Sequence, residues 1–262
     1  MRIACLLYHD VVEGNDWDCS GFRGGDSNVY KLPRVRFREH LAAIDGIPAG
    51  TRVLARPSIW QRQQDAVLLT FDDGGAGAYL WTADLLEEHG WRGHFFIPTD
   101  LIGNPGFMTA PQFAELHRRG HVIGSHSASH PPRLSRLDPA SIRREWTESI
   151  ARLSDLLGEP VDIASVPGGF YSRRVAMEAA AAGIRVLFNS EPVTNMRRVG
   201  DCLVLGRLGL MRSSPPAKAA QLAAFNCPLI WREYIFWNAK KALKMAGGQA
   251  WLSFRKAALA SR

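Results

Sequence analysis

Seven short apolar, β-rich runs recur along the chain: 3–8 (IACLLY), 66–71 (AVLLTF), 94–97 (HFFI), 121–124 (HVIG), 163–166 (IASV), 184–188 (IRVLF) and 203–208 (LVLGRL). The segments between most of them have helical periodicity. Residues 78–89 set Leu80, Ala83, Leu85 and Leu86 on one side and end at Gly90. Residues 110–119 follow Thr109, with Gln112 three positions on, the spacing of a capping box. Residues 139–157 open with Asp138 as N-cap and Pro139 in the first turn and stop at Gly158; residues 173–182 follow Ser172 and stop at Gly183. Strands alternating with helices predict a parallel sheet with crossover helices. Neither GxGxxG nor a Walker loop follows any strand, which removes the usual nucleotide-binding reading.

The stretch 10–65 breaks this rhythm. It is rich in glycine and polar residues, with one short helix expected around 36–44. Long loops in compact domains are often functional. Trp17, Phe22 and Tyr30 either line a cleft there or pin the loop to the surface.

Composition and charge refine this picture. The 262 residues, 46% of them hydrophobic, suffice for one large α/β domain or a domain with an appendage. The net charge of +7 belongs to the last stretch: residues 218–262 carry eight basic groups against one acid, Glu233, and residues 1–217 are neutral. The same stretch interleaves Phe225, Trp231, Tyr234, Phe236, Trp237, Trp251 and Phe254 with lysines and arginines, a mixture suited to a membrane interface. The expected organisation is a domain over 1–215 and a basic, aromatic-rich helical tail over 216–262. No secretory leader is readable, and no uncharged run reaches the roughly 20 residues of a membrane span. A cytoplasmic chain with peripheral contact at the inner membrane face, through 218–262, is expected. Cys5, Cys19, Cys202 and Cys227 are scattered and read as reduced thiols. No recognised nucleic-acid module is present, and no nucleic-acid partner is expected.

The chemistry collects after strands. In "LLTFDDGG" (68–75) an apolar run ends in the adjacent carboxylates Asp72 and Asp73, which repel unless a cation or proton intervenes. In "VIGSHSASHPP" (122–132) another apolar run leads to His126 and His130, whose spacing suits one side of a helical turn that ends at Pro131. Two histidines and one aspartate make a three-ligand set with open positions, the pattern of catalytic zinc. In parallel β/α folds the C-terminal strand ends are where active sites form.

"TFDDG" and "HSASH" resemble the first two motifs of the polysaccharide deacetylases, the NodB-homology carbohydrate esterases. The resemblance covers roughly residues 1–210 and implies a distorted (β/α)7-type barrel holding a divalent metal, expected to be zinc. It also implies removal of acetyl groups from N-acetylated sugars, either an exopolysaccharide or a lipid-linked glycan precursor. By the match Asp72 is the general base, while Asp73, His126 and His130 bind the metal. The family's third motif, Arg-x-Pro-aromatic-Gly, is altered in "SVPGGFY" (165–171): Ser165 stands at the arginine and Gly168 at the aromatic position, with Pro167 and Gly169 matching. A backbone N–H at Gly168 or Gly169 would serve the oxyanion, and Arg207 is a candidate for the missing arginine. The family's closing leucine-rich strand and histidine are absent, since all eight histidines lie at or before His130. "LLYHDVV" has that form at the other end of the chain. In a barrel the first and last strands are neighbours, so a permuted order makes His9 the general acid. This order resembles the poly-N-acetylglucosamine deacetylases. The same machinery would serve a deformylase or amidase on a lipid-linked amino sugar. The altered third motif would also suit a glycan-binding barrel without activity.

Overall fold

The computed structural model describes residues 2–47, 52–53 and 65–239. The parts of the expected tail beyond 239, including Trp251 and Phe254, lie outside the described residues. In chain order the elements are β1 (Ile3–Tyr8), β2 (Asp10–Val12), α1 (Gly25–Asn28), β3 (Lys31–Pro33), α2 (Arg34–Asp45), β4 (Arg52–Val53) and β5 (Ala66–Phe71). A π-helical turn (Ala78–Thr82) then runs into α3 (Ala83–Glu88), followed by β6 (His94–Ile97), α4 (Ala110–Arg118), β7 (Val122–Ser125) and α5 (Pro139–Leu157). The chain continues with β8 (Ile163–Ser165), α6 (Arg173–Ala181), β9 (Val186–Phe188), β10 (Met196–Val199), β11 (Cys202–Leu205), β12 (Leu208–Gly209) and α7 (Pro216–Ala223).

The main sheet runs β10-β11-β9-β8-β7-β6-β5-β1-β12, with β4 beside β5. All its pairings are parallel except β10 with β11. β11 pairs with β9 and β12 with β1, yet only Gly206 and Arg207 separate the two strands. Residues 202–209 thus span the opening between the sheet's ends, and Leu210 continues the closure by donating its N–H to the Leu7 carbonyl at 2.9 Å. The result is a strongly curled half-barrel of the expected β/α type, with the N-terminal strand beside the last one.

Period-two alternation sorts the strand residues between two cores. Ile3, Cys5, Leu68, Phe96, Ile163, Val186, Phe188 and Leu205 fill the barrel interior. Ala4, Leu6, Tyr8, Val67, Leu69, Phe71 and Phe95 face outward under the helices. With both faces covered, β1 and β5 are buried at every position, so they read as continuous apolar runs. The same phase carries on past the strands: His9 follows Ile3 and Cys5, Asp72 follows Leu68, Ser165 follows Ile163, and Arg207 follows Leu205. Polar side chains therefore arrive together at the C-terminal mouth.

The helices begin and end as their sequences dictate. Thr109 and Gln112 form the capping box of α4. The Asp138 side chain accepts from the Ser141 N–H at the start of α5, and Gly158 closes that helix in the left-handed conformation. One expectation is corrected. Leu80 is 47% exposed rather than grouped with Leu85 and Leu86, because the turn 78–82 is π-helical and its wider winding shifts the phase of the buried face. Past residue 215, α7 packs on α2 and β1, burying Ala219, Leu222 and Ala223 in the outer core. Residues 227–239 form a further helix.

Candidate active site

Asp72 and Asp73 follow β5 directly, as His126 follows β7 and Ser165 ends β8. Asp73 turns out of the strand in a left-handed conformation (φ 73°), which separates its carboxylate from that of its neighbour. His126 and His130 do not share a helical turn. The segment between them is a loop, and Ser127 (φ 65°) and His130 (φ 53°) take left-handed conformations. Such conformations cost energy in non-glycine residues and cluster at functional sites. Hydrogen bonds hold this loop: Ser125 Oγ accepts from the Ser127 N–H, Ser127 Oγ from the His130 N–H, and the Glu145 carboxylate from the N–H groups of Ala128 and Ser129.

The loop brings three ligand atoms together. Asp73 Oδ1 lies 3.4 Å from His126 Nε2 and 3.5 Å from His130 Nε2. All three atoms lie within 4.8 Å of one another, a set that could hold a metal ion. The tautomer of His126 fits this use. Its Nδ1 lies 3.1 Å from the Ser165 carbonyl, which can only accept, so Nδ1 carries the proton and Nε2 keeps a lone pair for a cation shared with Asp73. Burial opposes ionisation of Asp73, but the adjoining His126 and His130 outweigh it and hold the carboxyl well below its usual range. The reciprocal effect on His130 is an upward shift, driven by Asp73 against the burial of the ring.

Asp72 is held by two other residues. Arg207 donates Nη1–H to Oδ1 and Nη2–H to Oδ2, each at 2.7 Å, and the pair is buried. The guanidinium is itself oriented by Nε–H donation to the Asn189 carbonyl at 3.0 Å. Ser165 Oγ donates to Asp72 Oδ1 at 2.9 Å and accepts from His126 Nδ1–H at 2.6 Å, coupling Asp72 to the histidine. Burial raises the Asp72 pKa, while Arg207 and His126 outweigh it and keep the carboxyl below its ordinary value. A carboxylate has about four lone-pair sites. Oδ1 uses both of its own on Arg207 and Ser165; Oδ2 keeps one, on the atom 3.8 Å from His126 Nε2.

His9 completes the mouth. Burial lowers its pKa, and the charges of Asp73 and Asp72 offset that only in part. Gly168 (φ 58°) and Gly169 (φ 68°) form the turn after β8. The Gly169 N–H donates to the Val166 carbonyl at 3.3 Å. Of the three loop aromatics, Phe22 packs on His130 (4.8 Å between ring centroids) and Tyr30 on His9 (4.6 Å), whereas Trp17 lies under the Arg212 guanidinium (4.5 Å). Lys31 anchors this loop by donating Nζ–H to the carbonyls of Trp17 and Phe22.

One polar residue at the mouth carries no signal in the motif pattern. Asp10 is buried beside Ser20 and the glycine loop after Asp73. A Cβ on Gly75 would sit 2.1 Å from Asp10 Oδ2, and one on Gly77 2.0 Å from the Val11 carbonyl oxygen, so glycine is required at both positions. Burial pushes the Asp10 carboxyl up to about 7. The Ser165 bridge was equally hidden, because a serine in place of an arginine reads as a loss until its neighbours are known.

Fold and site define a class: a curled β/α half-barrel with a carboxylate and histidine cluster, able to hold a metal ion, at its C-terminal strand ends. Residues 61–187 match the family model for polysaccharide deacetylase. YxkH of Bacillus subtilis strain 168, named for the same family, is 23% identical over 229 residues, covering 86% of this chain and 76% of the relative. Solved structures share the fold. The Streptococcus pyogenes deacetylase PplD superposes with a TM-score of 0.71 at 18% identity, covering 85% of this chain and 98% of that one. IcaB from Ammonifex degensii gives a TM-score of 0.68 at 20% identity, with 85% and 97% covered.

Proposed function

We propose that the protein is a metal-dependent carbohydrate N-deacetylase that hydrolyses the acetamide of an N-acetylated sugar in an exopolysaccharide or lipid-linked glycan precursor. The observation that carries this reading is the pairing of Arg207 with Asp72, which returns a guanidinium to the carboxylate although Ser165 occupies the motif position. It also weighs against a barrel that only binds glycans, since a buried arginine is a costly way to hold a carboxylate that does nothing.

Asp73, His126 and His130 would hold the cation, for which zinc suits the donor set. When bound, the ion supplies Lewis acidity, polarising the acyl oxygen and acidifying a water. Asp72 accepts the proton of the attacking water on Oδ2, while Arg207 and Ser165 keep the carboxylate ionised and aimed. A backbone N–H at Gly168 donates to the oxyanion, a role for which Gly169 is less suited because its N–H is already engaged. His9 delivers a proton to the departing amine. Its lowered pKa makes the imidazolium a stronger acid, at the cost of a smaller protonated fraction at neutral pH.

The basic segment 218–262 would keep the enzyme at the inner face of the membrane, near a lipid-linked sugar. No helix among the described residues is long and apolar enough to cross a membrane. Trp231, Ile235 and Phe236 are 64%, 61% and 59% exposed on the helix 227–239, an apolar stripe suited to peripheral contact.

The test is acetate release from N-acetylglucosamine oligomers by the zinc-loaded protein, beside Asp72→Asn. Release by the wild type with loss of at least about 10²-fold in the variant is expected. Formate release from N-formyl sugars alone would move the reading to a deformylase. Glycan binding without either product would overturn it.

A further inference from the structure

We infer that Tyr30 is a positioning residue for His9, setting the plane of the imidazole from which the proton is delivered to the leaving amine. The inference rests on the deacetylase reading above and extends it to a residue in the loop that carries no family motif.

Three observations converge. The Tyr30 and His9 rings stack with centroids 4.6 Å apart and planes 29° from parallel. His9 Nδ1 is buried and has no hydrogen-bond partner among the described residues. A catalytic histidine is ordinarily oriented by a hydrogen bond from its second nitrogen; here the contact available to fix the ring is the aromatic face. The third observation is how the stack arises. β2 and β3 form a separate parallel two-stranded sheet in the register Asp10↔Lys31, Val11↔Leu32 and Val12↔Pro33. One step back in that register, His9 stands beside Tyr30.

The backbone around Tyr30 is fixed as well. Its N–H donates to the Ser27 carbonyl at 3.0 Å, and the Arg212 N–H donates to the Val29 carbonyl at 2.9 Å. Lys31, buried, ties the next position to Trp17 and Phe22. The ring is therefore presented to His9 by a strand pairing and an anchored loop. A face contact restrains the imidazole's rotation while leaving its nitrogens free in the ring plane.

The experiment compares Tyr30→Leu and Tyr30→Phe with wild type in the zinc-loaded protein on two substrates. An N-acetylglucosamine oligomer must have its amine protonated as it leaves. 4-Nitrophenyl acetate releases a phenolate that needs no proton. Tyr30→Leu should lower kcat on the amide about tenfold or more beyond any loss on the ester, with KM within about twofold, and Tyr30→Phe should restore the amide rate. Equal losses on both substrates would mean a collapsed site and overturn the inference. A raised KM with unchanged kcat would mean that the ring holds substrate, and would overturn it too. In both cases the deacetylase reading would survive. A wild type that cleaves the ester but not the amide would instead overturn that reading, and this inference with it.

Discussion

Arg207 and Asp72, 135 positions apart in the chain, are joined by two hydrogen bonds of 2.7 Å, one to each carboxylate oxygen, and both side chains are buried. The contact depends on barrel closure, because Arg207 lies in the two-residue link between the strand paired with β9 and the strand paired with β1. Removing one partner of a buried ion pair leaves the other uncompensated, at a cost of about 3–5 kcal/mol. Arg207→Ala should therefore lower the melting temperature and abolish turnover. Arg207→Lys keeps the charge but loses the fork, and should retain the fold with kcat reduced on the order of 10- to 100-fold. Thermal melts beside acetate-release kinetics check both.

Ser165 shares one carboxylate oxygen of Asp72 and one nitrogen of His126. Ser165→Ala removes the hydroxyl but keeps the backbone carbonyl that sets the tautomer of His126. Zinc affinity should weaken by at most about tenfold, and kcat should fall more than affinity does, as Asp72 loses one of its two supports. Competition titration with a chromophoric chelator, read beside kcat, separates the two effects. A loss of affinity without loss of rate would contradict the bridge.

Much of this was legible before the structure. The runs at 3–8, 66–71 and 94–97 coincide with β1, β5 and β6, because strands buried on both faces must be apolar throughout. The caps at Thr109 and Asp138 were readable because a side-chain cap acts within three residues. What escaped was set by contacts distant in sequence. The Ser165 bridge depends on its neighbours on β5 and β7. The His126–His130 spacing suggested a helical turn, whereas left-handed residues and the Glu145 carboxylate build a loop that achieves the same convergence. The π-turn that exposes Leu80 left no mark in the apolar pattern. In the stretch 10–65, the pairing of β2 with β3 was invisible because each strand has only three residues.

Asp10 gives a prediction in pH. Its carboxyl titrates near 7 in the folded chain against 3.8 for the free group. Between those values the folded state binds the extra proton, so this group's contribution to stability falls as pH rises from about 4 to 7, by on the order of 4 kcal/mol. Asp10→Asn should remove that slope. Denaturant melts of both proteins in chelator at several pH values provide the check: the variant should gain on the wild type as pH rises, and a constant difference would contradict the assignment.

Gly77 tests the packing of the same corner. Gly77→Ala would drive a methyl into the Val11 carbonyl, displacing the loop that follows Asp73. Overpacking of this kind costs about 1–3 kcal/mol. A lowered melting temperature together with weakened zinc binding is expected, since the loop begins at a proposed ligand. A variant that binds and melts like wild type would show that the loop has room the geometry denies.

Trp231, Ile235 and Phe236 carry the membrane proposal. A triple replacement by serine should reduce sedimentation with anionic vesicles at least about tenfold, as each large apolar side chain loses ~1.5 kcal/mol or more of burial. Catalysis on a soluble oligomer should be retained. Unchanged sedimentation would locate the contact elsewhere or remove it.

The most direct measurement is the metal content of the purified protein by elemental analysis, beside His130→Ala. The expected result is about one equivalent of zinc per chain in the wild type and its loss in the variant, as the ligand set of Asp73, His126 and His130 requires. A wild type that neither carries a divalent ion nor takes one up on titration would contradict the proposed hydrolytic site.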